Sequence, residues 1–133
     1  MQERKILIVD DQMGIRMLLS EVLKSEGYTI IEASNGVVAL ELASREQPDL
    51  ILLDMKLPGM DGLQILKSLR ANGVSVSVIM MTAYGELELI NEAIALGAKS
   101  HFTKPFDIDD LIVLVNQHFG LQTGENEGVA TVI

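Results

Sequence analysis

The 133-residue chain contains no cysteine. That excludes disulfides, thiol chemistry and any zinc–thiolate centre. Basic residues are also scarce: 10 lysines and arginines stand against 19 aspartates and glutamates, a formal charge of −9. Such a balance lacks the positive footprint that nonspecific DNA or RNA binding needs, although it suits a protein partner with a basic face. No stretch approaches the length that crosses a bilayer. The opening Met1-Gln2-Glu3-Arg4-Lys5 leads into a short apolar segment without the h-region of a signal peptide. A cytoplasmic protein, with neither nucleic acid nor membrane as partner, is expected. A glycine-rich phosphate loop is missing too. Asp10-Asp11-Gln12 stands where one would follow the first strand, and it is hostile to a pyrophosphate without a metal.

What is present is a regular alternation of apolar runs and amphipathic segments. Hydrophobic residues make up 48% of the chain, enough for the core of one domain. Lys5 to Val9 and Leu50 to Leu53 are short continuous apolar runs, the pattern of strands buried on both faces. Thr29 to Ile31, Val76 to Met81 and Lys99 to Phe102 are further strand candidates. Between them the period changes to that of a helix. Gln12 to Lys24 carries Ile15, Leu18, Leu19, Val22 and Leu23 on one face; Val37 to Arg45 carries Leu40 and Ala43. Leu63 to Leu69 turns Ile65, Leu66 and Leu69 inward, and Glu86 to Leu96 groups Leu87, Ile90 and Ile94. Asp107 and Asp110 have the spacing of a capping box for a last helix packed by Leu111, Leu114, Val115 and Phe119. Five strand–helix units predict an α/β fold, a doubly wound parallel sheet covered on both faces. Residues 1–121 form this domain, and residues 122–133 read as a flexible tail whose apolar end is also suited to a sheet edge or a partner.

In such a sheet, ligands bind beyond the carboxyl ends of the strands. The first strand ends at Asp10-Asp11, the third at Asp54, the fourth at Thr82-Ala83, and the fifth leads to Lys104-Pro105. Three carboxylates close together repel one another unless a cation offsets them. A hard divalent ion with oxygen ligands is the natural partner: Mg²⁺, or Mn²⁺ in its place. Asp54, at the centre of the sheet, is the best placed nucleophile for a phosphoryl group, with Lys104 and Thr82 as donors to its oxygens. Each residue alone also has an ordinary reading, as a cap, a turn residue or a solvated lysine. Their joint arrival on four strand ends favours the chemical one.

These motifs resemble those of bacterial response-regulator receiver domains. ILIVDD ends at Asp11, ILLDMKLPGMDG surrounds Asp54, MMTA ends at Ala83 and KPF spans Lys104 to Phe106; the likeness runs from about Arg4 to Phe119. Within that family, VDDQMGIRMLL, IMMTAYGELELI and HFTKPFDIDDL resemble the stand-alone intermediates of the endospore phosphorelay. The resemblance implies a flavodoxin-like (βα)5 fold with strand order 2-1-3-4-5. It implies phosphorylation of Asp54 by a sensor histidine kinase, and Mg²⁺ arranged by Asp10, Asp11, Asp54 and the backbone carbonyl of Lys56. Thr82 would move toward the phosphoryl group and Lys104 would bind it. A histidine phosphotransferase would then receive the group, and an aspartyl-phosphate phosphatase would act as the drain.

The chain departs from the common receiver pattern at His101, where an aromatic switch residue is usual. The expected coupling of Thr82 to that position is therefore weakened. Lys56, two residues after Asp54, has a side chain long enough to reach over the site. A contact surface for partners is expected from Gln12, Gly14, Ile15 and Leu18, with Pro58, Tyr84, Gly85, Pro105 and Phe106. Ile15 and Leu18 also fit the core stripe of their helix. Haloacid-type phosphatases, which need a second aspartate where Lys56 stands, fit less well. So does a binding module with a vestigial site. A terminal single-domain regulator, acting by phosphorylation-dependent binding, remains the alternative to a relay.

Overall fold

The computed structural model describes residues 3–83 and 87–121. Strand and helix alternate throughout: β1 (Lys5–Val9), α1 (Met13–Ser25), β2 (Thr29–Ala33), α2 (Gly36–Glu46), β3 (Leu50–Asp54), α3 (Gly62–Ala71), β4 (Ser77–Ala83), α4 (Leu87–Ala95), β5 (Ser100–Lys104) and α5 (Ile108–His118). The strands form one parallel sheet in the order β2-β1-β3-β4-β5. This is the flavodoxin-like (βα)5 arrangement that the alternation and the motifs predict.

The continuous apolar strands divide their side chains between two cores, because successive residues of a strand point to opposite faces. Ile6, Ile8, Leu50, Leu52, Ile79 and Met81 pack with Leu19 and Leu23 of α1 and with Leu111 and Val115 of α5. Leu7, Val9, Ile51, Leu53, Val78 and Met80 pack with α2, α3 and α4 through Ala39, Ala43, Ile65, Leu66, Leu69 and Ala93. Burial of each large side chain contributes roughly 1.5–3 kcal/mol. The central strands need both cores, and this is why KILIV and LILLD carry no polar alternation.

Two helical stripes differ from the sequence expectation. On α1 the sheet is met by Leu19 and Leu23, with Ile15 and Val22 at the margin, whereas Leu18 is 45% exposed. A helix lying on a flat sheet buries a narrow stripe, and Leu18 falls outside it, beside exposed Met13 and Met17. On α4, Ile90 and Ala93 face the core and Ile94 is 50% exposed. One helical step carries Ile94 about 100° past Ala93. The small Ala93 is what lets α4 approach the sheet.

The amino-terminal ends of α2, α3 and α5 are closed by side chains. Asn35 accepts from the Val38 amide at 2.9 Å to start α2. Asp61 and Gln64 form a reciprocal capping box at α3. At α5, Asp107 accepts from the amides of Asp109 and Asp110. The reciprocal bond expected from Asp110 is not among the described contacts, consistent with a side chain one methylene shorter than glutamate. At the amino-terminal edge of the sheet, Arg70 of α3 donates to the carbonyls of Leu96, Val74 and Val76 at 2.8–3.0 Å. It ties the turns leading into β4 and β5 to one guanidinium.

Candidate functional site

The two-residue period that divides the cores also selects what meets at the carboxyl edge. Asp10 follows Ile6 and Ile8, Asp54 follows Leu50 and Leu52, and Lys104 follows Phe102, all on the α1/α5 side. Val9 pairs with Leu53, so the ends of β1 and β3 lie level; Asp54 pairs with Met81 and Met81 with Phe102, so Lys104 stands two residues further along and reaches back with its long side chain. Lys104 Nζ stands 2.6 Å from Asp10 Oδ2 and 3.2 Å from Asp54 Oδ2. The Lys104–Pro105 peptide is cis.

Asp10 is fully buried and Asp54 is 6% exposed. Burial, followed by the neighbouring Asp10 carboxylate, holds the Asp54 carboxyl above its ordinary pKa; Lys104 and the Lys56 amide pull the other way without cancelling this. Burial alone would lower Lys104, but its hydrogen bond to Asp10 and the charges of Asp54 and Asp10 outweigh it and hold the ammonium above its usual pKa. The lysine therefore remains charged.

Asp10, Asp11 and Asp54 offer carboxylate oxygens within 4.8 Å of one another. Around an octahedral Mg²⁺, neighbouring oxygens are about 3 Å apart and opposite ones about 4 Å, so a closing movement of these side chains would let all three share one ion. All three donors are hard oxygens, and a cation would offset both the burial and the Asp10 charge that hold the Asp54 carboxyl up. The residues present fit a divalent cation.

The remaining predicted residues are distributed unevenly around this cluster. Thr82 is fully buried and of opposite parity on β4. Its hydroxyl donates to the Phe102 carbonyl at 3.3 Å and lies 3.5 Å from Thr103 Oγ1, while no hydrogen bond joins it to Asp54 among the described residues. The Lys56 amide is 3.4 Å from Asp54 Oδ1, and the Lys56 side chain is exposed. Gln12, Gly14, Leu18, Pro58 and Pro105 are exposed around the rim; Ile15 and Phe106 are half-buried. Phe106 packs edge-on against Phe102, with ring centroids 4.7 Å apart. His101 is exposed on β5. Tyr84, Gly85 and residues 122–133 lie outside the described residues.

The model for the response regulator receiver domain matches residues 6–116. The chain belongs to that family. As a receiver domain it is 53% identical over 123 residues to the Sporulation initiation phosphotransferase F of Bacillus subtilis, covering 92% of this chain and 99% of that protein. It is 40% identical over 92% of its length to the regulatory protein AtoC of Escherichia coli, of which it spans 27%. The receiver domain protein of Methanospirillum hungatei superposes with a TM-score of 0.84 at 29% identity, over 90% of this chain and 95% of that one.

Several residues that build the receiver site carried no clear sequence signal. Gly62 is one: a Cβ there would stand 2.3 Å from the Asp54 carbonyl oxygen. Its amide donates to the Met55 carbonyl at 2.8 Å, which folds the β3–α3 loop back onto the end of β3. In the sequence, Gly62 only closes the loop segment of ILLDMKLPGMDG, and nothing there marks its contact with the Asp54 carbonyl. Met55 is buried and extends the ladder by donating to the Met81 carbonyl at 2.9 Å. Arg16, in the first turn of α1, donates to the Asp10 carbonyl at 2.7 Å.

Proposed function

We propose that Asp54 accepts a phosphoryl group from a phosphohistidine of a sensor histidine kinase and passes it to a histidine of a phosphotransferase. The observation that carries this reading is the convergence of Asp54, Asp10 and Lys104 at one sheet edge. The likeness to a sporulation initiation phosphotransferase along nearly all of both chains supports the relay over a terminal regulator. Asp54 Oδ attacks phosphorus in line, the P–N bond breaks, and its electron pair leaves with the imidazole. The product is an acyl phosphate on Asp54. Lys104, already 3.2 Å from Asp54, turns its ammonium from carboxylate to phosphoryl oxygen. Thr82 contributes its hydroxyl by giving up the Phe102 carbonyl. Mg²⁺, or Mn²⁺ in its place, held by Asp10, Asp11, Asp54 and the Lys56 carbonyl, would offset the negative charge of the reacting groups. Onward transfer reverses these steps with a second histidine. Water in its place hydrolyses the acyl phosphate, slowly or with an aspartyl-phosphate phosphatase.

Incubation with phosphorylated kinase and Mg²⁺ tests the assignment. Wild type should take up label stoichiometrically, and Asp54→Ala should take up none. Persistent labelling of a folded Asp54→Ala protein would sink it. Adding a purified histidine phosphotransferase should then move the label; retention on Asp54 with every candidate favours the terminal regulator.

A further inference from the structure

The backbone and side chain of Asp10 are held at four atoms. Its amide donates to the Ala33 carbonyl at 3.2 Å. Its Oδ1 accepts from the Gln12 amide at 2.9 Å and its Oδ2 from Lys104 at 2.6 Å. Its carbonyl accepts from Arg16 Nη1 at 2.7 Å. Asp11 is different. Its side chain is exposed and finds no partner among the described residues. Nothing on its own side chain aims it at the cluster it shares with Asp10 and Asp54.

Arg16 is itself anchored. Its Nε lies 3.4 Å from Glu32 Oε1 on β2, and the other Glu32 oxygen accepts from Ser20 Oγ at 2.7 Å. Arg16 and Ser20 stand one helical turn apart on α1, so both grip the same carboxylate. The guanidinium thus spans the ends of β1 and β2, with a fork geometry that a lysine lacks.

We propose that Arg16 is a positioning residue for the cation site: by holding the Asp10 carbonyl it fixes the Asp10–Asp11 peptide plane, and with it the direction in which the Asp11 carboxylate is presented. The inference rests on the reading of Asp10, Asp11 and Asp54 as cation ligands. Electrostatics alone gives the opposite sign. A guanidinium near a cation site opposes the ion, and its removal would also leave Glu32 uncompensated, so deleting it should tighten binding. Loss of positioning weakens binding.

The test is Mn²⁺ binding to the full chain, followed by the electron paramagnetic resonance of the free ion, with Mg²⁺ measured by competition. Arg16→Met should raise the dissociation constant about tenfold, the usual cost of losing a group that orients a ligand. Arg16→Lys keeps the charge and should fall between Arg16→Met and wild type. An unchanged or lower constant in a folded Arg16→Met protein overturns the proposal. If that variant does not fold, Arg16→Lys decides, and a wild-type constant there overturns it. Asp11→Asn separates the two levels. If it leaves binding unaltered, the reading of the acidic cluster fails and this inference falls with it. If Asp11→Asn weakens binding while Arg16→Met does not, only the role of Arg16 is lost.

Discussion

The Lys104 ammonium is closer to Asp10, at 2.6 Å, than to Asp54, at 3.2 Å. The lysine proposed to bind the phosphoryl group is thus engaged with a proposed metal ligand, and cation and lysine would compete for the Asp10 carboxylate. Lys104→Ala should tighten Mg²⁺ binding by about 1 kcal/mol, roughly fivefold, because it frees Asp10 and removes a repelling charge. Labelling by a phosphorylated kinase should slow in the same variant by about 10²-fold, the cost of a missing donor to the transferring group. Metal titration and single-turnover labelling read the two effects separately.

Gly62→Ala should damage the site through the backbone. The added methyl would meet the Asp54 carbonyl at 2.3 Å, a distance that only a shift of β3 or of the loop relieves. Overpacking of this kind costs about 1–3 kcal/mol. A lower urea midpoint together with slower labelling is expected. A change in the midpoint alone would mean that the loop moves and Asp54 does not.

Arg70→Ala should destabilise the domain without touching the acidic cluster. Three carbonyls lose a charged donor, and those left dry carry the cost. A loss of about 2 kcal/mol is expected from chemical denaturation, with Mg²⁺ affinity unchanged.

Tyr28 should set an alkaline limit. Burial, only partly opposed by Arg4, pushes its hydroxyl up to about 12, and that hydroxyl donates to Asn116. The unfolded chain ionises this group near its ordinary value of 10.0. The folded state therefore holds the proton more tightly, and stability is retained below pH 10 and lost as the pH rises toward 12. The loss amounts to roughly 2–3 kcal/mol. Tyr28→Phe should be less stable at neutral pH and lose less on the way up. The tyrosinate absorbance missing from that variant should be the late-titrating component.

Leu18 and Leu19 should behave oppositely although they are neighbours. Leu19→Ala empties a fully buried position and should cost about 2–5 kcal/mol. Leu18→Ala should change stability by no more than about 0.5 kcal/mol. If the rim of α1 docks partners, Leu18→Ala should slow phosphoryl transfer to or from them at unchanged Mg²⁺ affinity. Equal transfer rates would remove Leu18 from the contact surface.

The sequence by itself determined the alternation of strands and helices, the burial of the sheet on both faces and the presence of acids at the ends of β1 and β3. These are local matters: a period of two or of about 3.6 and the residue that ends a run are written in consecutive positions. The same parity carries Asp10, Asp54 and Lys104 to one face, so their meeting was legible once the strands were aligned. Only the tertiary structure decided the partners. It turned the Thr82 hydroxyl toward Phe102, set Lys104 nearer Asp10 than Asp54, pressed Gly62 against the Asp54 carbonyl and brought Arg16 to the Asp10 carbonyl. It also left Leu18 and Ile94 outside the core, against the helical pattern. Each of these depends on how far a helix or loop is rotated against a strand distant in the chain, and packing sets that rotation through the volumes of all the side chains between them.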